Sequence, residues 1–280
     1  MARALSLLVF LALALAKPLA VTTIAPYGSL VAEVLGEGWE VRVLVPAGAN
    51  PHLYTPRPSD VRAVAGADLV VMNGLGLDDW LVEKLPVPDR ARVLVAGEVL
   101  KAFLVPLPSG EPDPHVFSDL LAMSVFVCDV ARAAGEVSGE TLEYRQRAKK
   151  LEEGLLSLLA RYRRKFEGLG SRAYVAYKNP FSYLNARFGL ELAFLIGKTP
   201  ASEPTPRELV AAKKVLAERG LDFIVAPYQL RREAERVAKN LGVRVVFVDL
   251  LGEEGGGYLE TWENNLSRLY EAFSQAQKGE

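Results

Sequence analysis

Residues 139–166 read GETLEYRQRAKKLEEGLLSLLARYRRKF, from Gly139 to Phe166. The stretch holds no proline and one interior glycine, Gly154, while Leu142, Leu151, Leu155, Leu158 and Leu159 form an apolar stripe among many charges. Leucine, lysine, arginine and glutamate all favour helix, and apolar residues three and four apart share one helical face. At about 1.5 Å per residue such a helix spans roughly 40 Å, more than the width of one α/β lobe. We read it as a rigid backbone helix joining a lobe before it to a lobe after it. The competing reading is two helices hinged at Gly154, because an interior glycine costs about 1 kcal/mol relative to alanine.

On both sides of this segment, short runs rich in valine and isoleucine alternate with stretches of helical period. The strand candidates are Leu19–Ile24, Glu40–Val45, Asp68–Met72, Arg92–Val95, Ala173–Tyr177, Asp222–Ala226 and Arg244–Asp249. Continuous apolar runs of this length suit strands covered on both faces, as in parallel sheets. Helix candidates lie at Tyr27–Leu35, Pro58–Val64, Asp78–Lys84, Phe117–Ala134, Thr205–Arg219 and Arg231–Leu241. Thr205-Pro206-Arg207-Glu208 is a capping box with proline at the first helical position. Tyr258, Trp262, Leu266 and Leu269 mark an amphipathic terminal helix whose apolar side belongs in the core. The alternation predicts an α/β fold: two Rossmann-like lobes with parallel sheets, joined by one long helix.

The chain has 280 residues, 50% of them hydrophobic, enough for one large core or two modest ones. Lysine plus arginine number 33 against 34 acidic residues, so no basic surplus marks a nucleic-acid partner. A charged fraction of 24% is that of an ordinary globular chain and argues against disorder. Arg3 precedes an apolar run, Ala4 to Ala16, broken only by Ser6, and Ala14-Leu15-Ala16 offers a small-x-small cleavage site. This is the anatomy of a secretory signal peptide, too short for a membrane span. The expected organisation is a signal peptide at 1–16, a lobe at 17–138, the linking helix at 139–168 and a second lobe at 169–280. Cys128 is the only cysteine and is expected to be a small buried hydrophobe. It lies far from the signal segment, so the expectation is a periplasmic protein that is not lipid-anchored.

Histidine occurs twice, each time after a proline in a turn-like setting: Gly48-Ala49-Asn50-Pro51-His52 and Glu111-Pro112-Asp113-Pro114-His115. Proline stiffens each loop, and ligands in open α/β sheets bind beyond the carboxyl ends of strands. Two neutral imidazoles held this way suit zinc, iron, copper or nickel, and manganese if carboxylates join them. Asp249 ends the strand Arg244–Asp249 and is read as a metal ligand, a helix-capping group or a loop stabiliser. Asn73-Gly74-Leu75-Gly76 follows a strand, but it lacks the third glycine of a dinucleotide loop. No G-x-S-x-G, His-Glu-x-x-His or P-loop pattern occurs.

Several of these stretches together resemble one family. Gly48-Ala49-Asn50-Pro51-His52, with Pro56 and Ser59-Asp60 beyond it, is similar to the first ligand loop of the zinc- and manganese-binding receptors of ABC importers, the ZnuA/TroA-like family. Asn73-Gly74-Leu75-Gly76-Leu77-Asp78-Asp79-Trp80 resembles that family's "N-G-x-G-x-E-x-W" segment, with Asp78 where glutamate is usual. Asp113-Pro114-His115 resembles the second ligand loop, with Phe117 where tryptophan is commoner. Glu203-Pro204-Thr205-Pro206 and Val248-Asp249-Leu250-Leu251 match later landmarks in order. The resemblance implies a solute-binding protein without turnover, holding a divalent transition-metal ion between two lobes that open little. The ion, zinc or manganese, is the transported ligand; no organic cofactor is implied. The implied ligands are His52, His115 and Asp249, and the implied partner is an ABC permease in the inner membrane, met by a monomer.

One position departs from the pattern. Tyr177-Lys178-Asn179-Pro180-Phe181-Ser182-Tyr183-Leu184 puts Lys178 where the family carries a third ligand, histidine or glutamate. An ammonium has no lone pair to give a metal. Either Asn179, Glu203 or a water completes the shell, or Lys178 is neutral when metal is bound, or Lys178 pairs with Asp249 and the cleft is a salt bridge. The loop Val105–Glu111 has no histidine, whereas some zinc-specific relatives carry a His- and acid-rich insertion there, which disfavours a dedicated zinc scavenger. Two rival readings remain open: an exported metal-dependent hydrolase, and a receptor-like protein that has lost its metal.

Overall fold

The computed structural model describes residues 17–139, 141–197 and 203–276; the expected signal segment lies outside them. Strands β1 (Leu19–Thr22), β2 (Glu40–Val43), β3 (Leu69–Met72) and β4 (Arg92–Val95) form one parallel sheet in the order β2-β1-β3-β4. Strands β5 (Ala173–Tyr177), β6 (Glu191–Ile196), β7 (Phe223–Pro227) and β8 (Arg244–Val248) form a second parallel sheet in the order β6-β5-β7-β8. The two lobes therefore repeat one topology, although the sequence shows no repeat. Strands β3, β5 and β7 are buried along their whole length, as their unbroken apolar runs require.

The helices are α1 (Ala25–Leu35), α2 (Pro58–Ala65), α3 (Trp80–Lys84), α4 (Ala96–Val99), α5 (Leu120–Ser138), α6 (Leu142–Glu167), α7 (Ser182–Phe188), α8 (Pro206–Glu218), α9 (Arg231–Leu241) and α10 (Tyr258–Ala276). The capping box forms as expected: Glu208 N–H donates to Thr205 Oγ1 at 3.2 Å, and Thr205 N–H donates back to the Glu208 carboxylate at 2.8 Å. Three elements lay outside the sequence reading, the first being α4, a single turn of four residues. Helix α7 has seven residues, too few to display a period. Strand β6 reads ELAFLI, and its glutamate, alanine and leucines are not strand formers.

Helix α6 runs unbroken for 26 residues, about 39 Å at 1.5 Å per residue, so the hinged pair is ruled out. Gly154 has a packing role instead: a Cβ there would sit 3.0 Å from Leu259 Cδ2, so its bareness lets α10 approach. Helix α6 packs on α1 and α5 of the first lobe and on α7 and α10 of the second. Its buried face is Tyr144, Ala148, Leu151, Leu155, Leu158, Tyr162 and Phe166. The expected stripe was right in the middle and wrong at the start, where Leu142 is 68% exposed and Tyr144 faces inward, accepting from Trp39 Nε1 at 3.0 Å. At the far end, the Phe166 ring packs on Phe188, Tyr270 and Phe273 with centroids 5.5 to 5.9 Å away. Cys128 corrects a second expectation: it is exposed, on the same outer face of α5 as Val125, with its thiol 3.9 Å from Glu152.

Candidate metal centre

The first lobe brings both histidines to the carboxyl edge of its sheet. Beyond β2, Asn50 Oδ1 accepts from His52 N–H at 3.0 Å and starts the single helical turn Pro51–Leu53. Trp80 Nε1 donates to Pro51 O at 3.4 Å and steadies that turn from α3. Beyond β4, the fully buried Asp113 accepts from His115 N–H at 2.9 Å, and its Oδ1 lies 2.6 Å from His115 Nδ1. A carboxylate only accepts, so Nδ1 carries the proton and Nε2 keeps a lone pair, the tautomer that a metal needs. The His52 and His115 ring centroids are 5.7 Å apart. Two imidazoles sharing one tetrahedral ion at about 2.0–2.1 Å would place their centroids about 5 Å apart, so little movement separates this pair from bidentate grip. Burial, and then the neighbouring His115, lower the His52 pKa from 6.5, which favours the neutral ligand form. Burial alone would raise the Asp113 carboxyl, but the hydrogen bonds and charge of His115 outweigh it and leave it below its ordinary value.

The Asn73–Trp80 segment braces this arrangement. Asp78, fully buried, accepts from Thr23 Oγ1 at 2.5 Å, Asn73 N–H at 2.8 Å and Gly74 N–H at 2.7 Å. Burial raises its pKa, and those three donors oppose the rise. The shape so imposed points the Asn73 amide at Pro114 O, 2.8 Å away, beside His115, while Tyr27 O–H holds the other end of the amide at 2.8 Å. The glycine-rich stretch is thus a brace for the His115 loop, and aspartate at position 78 reaches its donors as well as serving for the usual glutamate.

The segment carrying His115 is also held from the second lobe. Tyr183 O–H donates to Asp113 O at 2.8 Å, and Tyr258 O–H donates to Phe117 O at 2.7 Å. Arg187 of α7 donates to both oxygens of the fully buried Asp119 at 2.6 to 3.0 Å, and Asp119 also caps α5 by accepting from Leu121 N–H at 3.0 Å. None of these roles was read from sequence. The Arg187–Asp119 partners lie 68 residues apart and no local pattern links them.

The second lobe's contribution is differently disposed. Asp249, fully buried just past β8, accepts from Leu251 N–H at 3.2 Å and Glu254 N–H at 2.9 Å, and the Asn265 amide clamps its own backbone at 2.8 and 2.7 Å. Its visible work is loop stabilisation. Lys178 is 8% exposed, takes a positive φ of 58° and reaches over Gly197. Burial lowers its pKa, and the charges opposing that are Glu203 and Glu208. The Lys178–Asp249 ion pair weighed from sequence is not among the ion pairs of the described residues, and Lys178 Nζ instead lies against Gly197. Asn179 faces its own lobe, 3.4 Å from Tyr174 O–H. Among the described residues, no group of three or more His, Cys, Asp or Glu stands together at metal-holding range. The structure thus joins His52 to His115 and its Asp113, and does not gather Asp249, Asn179 or Glu203 around them.

A family model described as "Zinc-uptake complex component A periplasmic" matches residues 20–272. The chain belongs to this family. It is 29% identical to the zinc-binding protein TroA of Treponema pallidum, across 92% of this chain and 90% of that one. It is 24% identical to the manganese-binding lipoprotein MntA of Halalkalibacterium halodurans, across 91% and 88%. Among solved structures, the laminin-binding protein Lmb of Streptococcus agalactiae, described as having adhesin and metal-transporting activity, superposes with a TM-score of 0.80 at 28% identity. That match covers 92% of this chain and 99% of Lmb. Members of the ZnuA family are solute-binding components of uptake systems, and the two-lobed architecture with a linking helix is theirs.

Proposed function

We propose that this chain is an extracytoplasmic solute-binding protein that captures one divalent transition-metal ion, zinc or manganese, and hands it to an ABC permease of the inner membrane. The observation that carries the reading is the His52–His115 pair, the only two histidines in the chain, held 5.7 Å apart with Asp113 fixing the His115 tautomer. His52 and the Nε2 of His115 are the first-lobe ligands, and Asp249 is the second-lobe ligand. Each Asp249 oxygen now accepts one backbone bond, which leaves lone pairs for an ion. Lys178 occupies the remaining ligand position, with Asn179 and Glu203 beside it as the groups able to supplement the shell. Residues 17–138 and 169–280 act as the two lobes and 139–168 as the strut between them. The family and the character of residues 1–16 support an export route; MntA is named a lipoprotein.

The test is elemental analysis of the purified protein with thermal shifts in zinc, manganese, iron and copper. A ligand at 100 times its Kd stabilises the folded state by about 2.7 kcal/mol. Wild type should gain several degrees with zinc or manganese, and His52→Ala should gain none. No shift with any ion would favour the alternative that Lys178 suggests, a receptor-like protein without a metal.

A further inference from the structure

We propose that helix α10 is a shared template for two ligand loops, with Tyr258 and Asn265 as the positioning residues that tie it to His115 and to Asp249. The inference rests on the metal-carrier reading for its consequence and on hydrogen bonds for its geometry. At the start of the helix, the buried Tyr258 O–H donates to Phe117 O at 2.7 Å. Phe117 belongs to the single turn that begins at His115, where the N–H and the Oγ of Ser118 donate to His115 O at 2.9 and 2.7 Å. The Tyr258 bond therefore fixes the backbone of that turn, and the Phe117 ring lies 5.8 Å from the His115 ring. Farther along the same buried face, Asn265 clamps Asp249 in both senses: its Oδ1 accepts from Asp249 N–H at 2.8 Å, and its Nδ2 donates to Asp249 O at 2.7 Å. Arg268 adds a second hold, donating to Asn265 Oδ1 at 3.1 Å and to the two Glu254 oxygens at 2.9 and 2.5 Å. Glu254 N–H in turn donates to the Asp249 carboxylate at 2.9 Å.

Tyr258 and Asn265 stand two helical turns apart, about 10 Å along the axis, so one stiff element spaces the two ties. The helix is itself seated by the first lobe. Gly257 O accepts the first helical bond, from Thr261 N–H at 3.0 Å, and glycine has no side chain with which to cap the first-turn donors. Glu33 of α1 caps in its place, accepting from Tyr258 N–H at 3.2 Å. A Cβ at position 257 would lie 2.6 Å from Glu33 Oε1, so the bare glycine is what admits the carboxylate. There it also meets the positive end of the helix dipole. The N–H and the O–H of Tyr258 are thus both engaged by the first lobe, while Asn265 and Arg268 engage the loop of the second. Tyr183 and Arg187 of α7 grip the same His115 segment, so His115 keeps a hold when the Tyr258 tie is cut. Helix α10 differs in carrying the Asp249 tie as well.

Zinc competition against a chelator, on Tyr258→Phe, Asn265→Ala and the double variant, decides the matter. Each single change should weaken binding about tenfold, the lower end of what losing a ligand-orienting group costs. The ties act in series, so cutting the second after the first adds little. The double variant should stay within about threefold of the weaker single, against about a hundredfold for independent sites. Unfolding in chelator should behave in the opposite way, the two losses adding, because the sites share no partner and lie two turns apart. A double variant near the hundredfold level, or either single binding as tightly as wild type, overturns the template. Should N265A not fold, Arg268→Met takes its place with the same expected order, since Arg268 is 34% exposed and its loss frees Glu254. If wild type binds neither zinc nor manganese, the carrier reading fails by itself, and amide hydrogen exchange judges the ties. Exchange should speed up about fivefold over residues 115–119 in Y258F and over residues 249–254 in N265A, the factor for one ordinary hydrogen bond, and unchanged exchange in either overturns the template.

Discussion

Replacing Arg187 by methionine removes the cation from a carboxylate that has nowhere else to turn. Asp119 is fully buried; three of its contacts, at 2.6 to 3.0 Å, come from Arg187, and the fourth is the capping bond from Leu121 N–H. Deleting one partner of a buried ion pair costs about 3–5 kcal/mol, because the other charge stays behind uncompensated. The Arg187 side chain is 24% exposed, so water can follow into the vacated space, and the lower end, about 3 kcal/mol, is the expected loss. For a chain of this size that corresponds to a Tm lower by about 6–12 °C. The assay is thermal and urea unfolding in chelator, so that no metal contributes. The double variant R187M with Asp119→Asn should recover most of the loss, since asparagine still caps α5 and carries no charge. An R187M loss below about 1 kcal/mol, or a double variant no better than R187M, would refute the argument that an uncompensated Asp119 charge sets the cost.

Asp113→Asn should weaken zinc binding by about 10–100-fold in chelator competition, the usual effect of disturbing the group that orients a ligating histidine, and an unchanged Kd would show that Asp113 does not set the His115 tautomer. Lys178→His should tighten zinc binding by about tenfold or more, since it exchanges an ammonium for a neutral imidazole ligand, and histidine is among the residues that tolerate the positive φ there. Equal affinity in K178H would show that position 178 looks away from the ion, toward Glu203 and Glu208.

Local chemistry made much of the architecture legible. The capping box at Thr205 and Glu208, the proline-free run across 142–167 and the apolar β3, β5 and β7 each declare themselves within a few residues, because hydrogen bonding and side-chain period act at that range. Helix α7 did not, being only seven residues long, and neither did strand β6, whose glutamate and alanine weaken its strand signal. The exposed Cys128 shows the same limit: composition says that cysteine is usually buried, whereas only packing says which face of α5 turns outward. At the candidate site, the two Pro-His turns and the departure at Lys178 were visible in the sequence, and the structure brings the two histidine rings to 5.7 Å.

The 139–166 segment, read alone, favoured one long helix and hence two lobes, with a hinge at Gly154 left open; the structure runs the helix unbroken from Leu142 to Glu167 and ends the preceding helix at Gly139. The sequence likewise determined that two histidines, and no more, are available to a metal. Only the tertiary structure decided that Asp119 answers Arg187, that Tyr183 and Tyr258 hold the His115 segment, and that Lys178 lies against Gly197. Those pairings join residues far apart in the chain, and their distances are set by how two packed lobes meet along α6, which no local pattern of side chains encodes.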